Sequence, residues 1–161
     1  MKRILAVLLM VMLFVAVMPA TSLAASKGDT TMYHVATQRD ELMLRAGPGT
    51  SYTVLAKLGK NMALTKLSGD EDGWCRVRTM NGMSGYAYSS YVKRDAYADV
   101  DTKRDGLNVR PKPNTKKKEM YSIPHGTKDV VIQAVNGNWA KVNWNKKGTG
   151  YASLSYLKWS R

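Results

Sequence analysis

The sequence aligns with itself at one fixed offset. Residues Thr37 to Lys93, moved forward by sixty-five positions, fall on Thr102 to Lys158 without a gap, and fifteen of the fifty-seven aligned pairs are identical. Chance would give about three or four, so the chain contains an internal repeat. The identical pairs include Leu42/Leu107, Arg45/Arg110, Pro48/Pro113, Trp74/Trp139, Val77/Val142, Gly85/Gly150, Tyr86/Tyr151 and Tyr91/Tyr156. Such a chain must fold as two copies of one small unit. The reading places the first copy at 37–93 and the second at 102–161. Between them the polar stretch "RDAYADVD", 94–101, reads as a linker short enough to keep the copies close.

Ahead of the repeat, Lys2 and Arg3 precede an apolar run from Ile4 to Met18, then Pro19 and "ATSLAAS". That order is the pattern of a secretory signal peptide, 1–24, cut after Ala24 and leaving 25–36 as a leader segment. The run is shorter than the roughly twenty residues that cross a bilayer as a helix, so no membrane span is expected after cleavage. The mature protein is expected outside the cytoplasm, in the extracellular space, cell wall or periplasm. Cys75 is the sole cysteine, so no internal disulfide can form. Its counterpart is Ala140, which suits a small buried side chain.

Within each copy the apolar period is two. Cys75 and Val77 alternate with Trp74, Arg76 and Arg78, and Ala140 and Val142 alternate with Trp139, Lys141 and Asn143. Leu42 and Leu44, Leu107 and Val109, and Val130, Ile132 and Ala134 repeat the pattern, which marks strands with one wet face. Turn residues separate the runs, among them Gly47-Pro48-Gly49 and Pro111 to Asn114. Asn81-Gly82 and Asn136-Gly137 are pairs suited to a type I′ hairpin. The fold class is all-β, with two small five- to six-stranded β-barrels in tandem after a signal peptide.

The order of features, an "L-x-[LV]-R" strand, a Pro turn, "[GN]-W-x-[RK]-V" and a closing "G-Y-A-x-x-S-Y-[VL]-K", resembles the bacterial Src-homology-3 domain in both copies. The first copy carries it in Leu42, Leu44, Arg45, Gly47, Pro48, Gly73, Trp74, Val77, Gly85, Tyr86 and Tyr91. The second has Lys112 and Asn114 where the first has Gly47 and Gly49. The resemblance implies Src-homology-3-like barrels that attach secreted bacterial proteins to peptidoglycan or its peptides, often beside a hydrolase domain.

Charge separates the copies. Lys and Arg outnumber Asp and Glu by eight to five in 37–93 and by thirteen to three in 102–161, within a whole-chain net charge of +13. The second Pro turn and its surroundings hold Arg110, Lys112, Lys116, Lys117 and Lys118, and a later hairpin holds Lys146 and Lys147. These seven are the candidate polyanion-binding residues. In the first copy Gly47 and Gly49 are expected to give the turn positive φ and bring backbone close to a ligand. The candidate ligand-binding residues are Arg45, Gly47, Pro48, Gly49, Tyr52, Tyr86 and Tyr88, with tyrosine supplying an apolar face and a polar tip. The recurrence of Tyr86, Tyr91, Tyr151 and Tyr156 is equally what core packing would produce. Trp74 and Trp139 are expected to cover a barrel edge.

The residues give no sign of catalysis. A thiolate nucleophile needs a neighbouring histidine, and His34 and His125 lie outside the copy that holds Cys75. No "G-x-S-x-G" elbow occurs, and the acidic trio Asp70, Glu71 and Asp72 reads as a solvated turn. The chain is therefore expected not to be an enzyme and to use no cofactor or metal. Two functions fit: a secreted binding protein of the bacterial cell envelope, with peptidoglycan or an anionic wall polymer as partner, or an adaptor binding an extended or Pro-rich peptide of a secreted partner protein. Nucleic acid fits the charge but not the export signal.

Overall fold

The computed structural model describes residues 29–160, so the expected signal peptide lies outside the described residues. These residues form fifteen strands and two single-turn 3₁₀ helices. Copy one holds β2 (Tyr33–Val35), β3 (Leu42–Arg45), β4 (Val54–Leu58), β5 (Ala63–Lys66), β6 (Trp74–Thr79), β7 (Ser84–Tyr88) and β8 (Val92–Arg94). They make one sheet in the order β4-β3-β7-β6-β5-β2-β8. Copy two repeats the series as β9 (Ala96–Val100), β10 (Leu107–Val109), β11 (Tyr121–Ile123), β12 (Val130–Asn136), β13 (Trp139–Asn143), β14 (Thr149–Ser153) and β15 (Leu157–Trp159). Here the order is β14-β13-β12-β9-β15, and β10 pairs separately with β11. Arg110 bridges to Tyr151, as Arg45 does to Tyr86 in copy one.

The alternating residues fall where period two puts them. Leu42, Leu44, Cys75 and Val77 are buried in one core, and Val109, Val130, Ile132, Ala140 and Val142 in the other. Cys75 is a free thiol in that first core, and burial pushes its pKa up, which leaves it unreactive. The two hairpins differ from the expected type I′. In the first, Thr79 O accepts from Gly82 N and Met83 O from Thr79 N, with φ of 92° at Gly82, so the positive-φ residue follows the turn. In the second, Asn136 pairs with Trp139, and Gly137, with φ of 54°, takes the first central position, as in a type II′ turn.

Two boundaries need correction. The stretch 94–101 is not a linker, because Ala96–Val100 is the first strand of copy two, with Ala96, Ala98 and Val100 buried. Its flanking charges hid a period-two run. Nor is 25–36 only a leader, since Tyr33–Val35 is the equivalent first strand of copy one, and Val35 aligns with Val100 at the same offset. Each repeat thus begins several residues before its first run of identities.

The start of the chain also fastens the copies to each other. β1 (Thr30–Thr31) pairs with β12 of copy two, while β2 pairs with β5 and β8 of copy one. Met32, at the crossing, is fully buried in the core of copy two together with Ala63 of copy one. Its N–H donates to Gln133 O and its carbonyl accepts from Asp95 N, both at 2.9 Å. Asp29 completes the attachment by accepting from Lys141 at 2.9 Å, Tyr151 at 3.0 Å and Asn136 at 3.2 Å.

Burial pushes the Asp29 carboxyl up, but the hydrogen bonds from Lys141, Asn136 and Tyr151 outweigh it and hold the pKa below the ordinary 3.8. A depressed carboxylate contributes stability that is present above its unfolded pKa and lost as pH falls through the folded value. Between about pH 4 and 2 the chain is therefore expected to lose more stability than its Asp29→Asn variant, read by urea melts at each pH. Equal losses would mean that the ion pair adds nothing to folding.

Candidate functional site

The Pro turn of copy one is built around a ring rather than around unusual backbone. Neither Gly47 nor Gly49 has positive φ. A Cβ on Gly47 would lie 2.4 Å from Cδ1 of Tyr52, and one on Gly49 would lie 3.3 Å from Cδ2, so the ring rests on the two glycines. In copy two Lys117 replaces Tyr52, and Lys112 and Asn114 replace the glycines. The backbone is retained: Gly49 N donates to Gly47 O at 3.0 Å, and Asn114 N to Lys112 O at 2.8 Å. With the ring gone, the side chains fit. Gly47→Ala is thus expected to destabilise by about 1–3 kcal/mol through overpacking, and much less in a Tyr52→Lys background. A double-mutant cycle of thermal melts reads the coupling.

Arg45 and Arg110 hold these turns from inside. Arg45 Nη1 donates to Thr50 O at 2.9 Å and to Tyr52 O at 2.8 Å. Arg110 Nη1 donates to Lys117 O and pairs with Glu119 at 3.7 Å. Their guanidinium groups are committed to the loops. Pro48 is exposed at the turn's tip.

The tyrosines of the closing segment face outward. Tyr91 is 45% exposed and its counterpart Tyr156 is 51% exposed, while Tyr86 and Tyr151 are half-buried beside the inward Ala87 and Ala152. Core packing does not explain their recurrence. Tyr86 pairs across the sheet with Arg45, which places it next to the Pro turn, whereas Tyr88 belongs to a separate cluster. Its ring meets Trp74 edge-on at 5.7 Å and lies 6.1 Å from Tyr91. Gly73 makes room, since a Cβ there would stand 2.8 Å from Tyr88 Cε2.

In copy two the same place is open. Ser153 replaces Tyr88 and Asn138 replaces Gly73. A groove of about 980 Å³ runs between Trp139 and Tyr156 on one side and the loop 101–108 on the other. Lys103, Arg104, Asp101 and Asp105 line its loop side, giving both signs of charge. The loop is fixed: Thr102 Oγ1 donates to Asp105 O at 2.6 Å and lies 3.2 Å from His125 Nδ1. Trp139 therefore lines a groove instead of covering an edge. The sequence signal was the paired change from Gly73 and Tyr88 to Asn138 and Ser153.

Lys112, Lys116, Lys117 and Lys118 are exposed on the loop between β10 and β11. Lys146 and Lys147 are exposed on the hairpin between β13 and β14, with Lys147 Nζ 5.0 Å from the centre of the Trp144 ring. Tyr121 Oη donates to Gly148 O at 2.7 Å, which brings this hairpin beside the end of the lysine loop. The six lysines share one end of copy two, and Arg110 is turned inward beneath them.

A protein-family model described as "Bacterial SH3 domain" matches residues 40–93 and 105–158. "Putative N-acetylmuramoyl-L-alanine amidase YrvJ" of Bacillus subtilis (strain 168) is 28% identical over 146 residues, covering 85% of this chain and 27% of that protein. The chain thus spans about a quarter of this relative's length. The solved structures of NlpC2 and NlpC1 from Trichomonas vaginalis align at TM-scores of 0.46 and 0.44, both at 15% identity. They cover 84% and 88% of this chain and 49% of each of theirs. The amidase overturns the expectation that the chain is not an enzyme, because the sequence it shares is part of a protein named as a hydrolase. A nucleophile with its base was sought within these residues alone, whereas the shared sequence is 27% of that relative.

Proposed function

Since the chain belongs to the bacterial SH3 domain family in both halves, we propose that its paired modules bind the bacterial cell envelope and hold a wall amidase activity, of the kind its relative is named for, on its substrate. Bacterial SH3 domains are typical cell-wall-binding modules, and the groove of copy two is the observation that carries the finer reading. Its aromatic walls suit the flat faces of a short extended peptide. Lys103 and Arg104 can meet a carboxylate while Asp101 and Asp105 meet an amine, the two charged groups of a peptidoglycan stem peptide. The six exposed lysines add attraction to anionic wall polymers, a force that fades as salt rises. In copy one, Arg45, Gly47 and Gly49 act as a packed turn that offers Pro48 and the half-exposed Tyr52 ring beside Tyr86, and Tyr88 with Trp74 and Tyr91 supplies a second contact surface.

Sedimentation with isolated walls, intact and stripped of anionic polymers, tests this at low and high salt. Binding to stripped walls is expected to survive high salt, while substitution of the six lysines by Gln should remove only the salt-sensitive part. No binding to either wall preparation would overturn the envelope reading.

A further inference from the structure

A second cleft, of about 700 Å³, lies where the two copies meet. Met62, Met80, Met83 and Leu58 of copy one wall it on one side, and Trp159 of β15 closes it from copy two. Met62, Met80 and Met83 are each more than a third exposed, although an apolar side chain gains by burial. Three exposed methionines beside a tryptophan form an apolar patch of the kind that marks a binding surface on a soluble protein. Methionine suits a flexible apolar guest, since its unbranched polarizable side chain adapts to irregular shapes. The volume lies within the range of about 300–1,000 Å³ that small-molecule sites occupy.

Charge narrows the guest. Lys57, Lys60 and Lys158 border the cleft, and no Asp or Glu lines it. Lys57 pairs with Glu41 at 3.3 Å, on a solvent-exposed contact. Lys60 and Lys158 have no carboxylate within ion-pair distance among the described residues. One comes from the turn between β4 and β5, the other from the last strand of copy two. An apolar cleft with cations at its border complements a molecule with an apolar tail and an anionic head. We propose that the junction binds a single-chain anionic amphiphile, with its tail between the methionines and Trp159 and its head on Lys60 and Lys158. This site is separate from the groove of copy two, so either can fail without the other.

The test is a titration of the full chain, labelled with ¹³C at the methionine methyls, with dodecyl phosphate below its micelle-forming concentration. The methyl signals of Met62, Met80 and Met83 are expected to shift saturably while that of Met120, in the lysine loop, stays still. A Lys60→Glu, Lys158→Glu double variant is expected to bind about tenfold more weakly or worse, as is dodecanol with the unaltered protein, because both remove the head's attraction. An unmoved Met32 signal shows that the variant keeps its fold. No saturable shift, equal affinity for dodecanol, or an unchanged affinity in the double variant would each overturn the proposal. So would saturation of the cleft by an acidic apolar peptide that dodecyl phosphate fails to displace.

Discussion

Met32→Ala is expected to lower the unfolding free energy by about 2–5 kcal/mol, the range for truncating a buried large side chain when its surroundings cannot collapse into the space. Met32 has none of its surface exposed, and it packs within the core of copy two although it lies between a strand that pairs with copy two and one that pairs with copy one. Its backbone is held on both sides, by Gln133 and by Asp95, so the side chain cannot be withdrawn without breaking strand pairing. The loss should also be felt in both copies. Urea melts followed separately by a probe in each copy should give one shared midpoint for the unaltered chain and two separated midpoints for the variant. A loss under about 1 kcal/mol with coincident midpoints would mean that the junction is held elsewhere.

That junction was the least legible part of the sequence. The offset of sixty-five and the period-two runs placed most strands, because alternating burial follows directly from strand geometry. They missed the first strand of each repeat, where identities are sparse and charged residues surround the apolar positions. Ala96, Ala98 and Val100 are small, and they alternate with Tyr97 and Asp99, so "RDAYADVD" looked solvated. The first Pro turn was misread for a related reason. Glycine has two uses, freedom at positive φ and space for a neighbour, and a single sequence does not say which applies. At the Pro turn the second copy does, since Gly47 and Tyr52 are lost together as a pair in contact would be, whereas Gly73, at φ of 80°, serves both uses. The lysines were legible as a cluster because exposed charge depends little on exact packing. Arg110 differs from them in donating to a backbone partner, Lys117 O, that is invisible in a list of residue types.

The same paired change yields the second large effect. Ser153→Tyr combined with Asn138→Gly should rebuild in copy two the arrangement of copy one, with a tyrosine ring lying between Trp139 and Tyr156 across the groove. The surrounding strands need not move, because β13 and β14 keep the register that β6 and β7 have, Trp139 opposite Ser153 as Trp74 is opposite Tyr88. Gly73 has φ of 80° and Asn138 does not have positive φ, so the added glycine also frees this turn to take the backbone that gives Tyr88 its space. Stability should change little, whereas binding to polymer-stripped walls at high salt should fall at least tenfold, the loss expected when a groove's interior contacts are all displaced. Ser153→Tyr alone should bind poorly and also destabilise, since Asn138 leaves the ring crowded. Arg110 and Thr115 reach the groove but none of the six lysines lines it, so the salt-sensitive binding to intact walls should persist in the double variant. If the double variant binds stripped walls at high salt as well as the unaltered chain does, the ligand does not enter this groove. The Pro turn of copy one with Tyr86, and the separate cluster of Trp74, Tyr88 and Tyr91, would then be where the contact has to be sought.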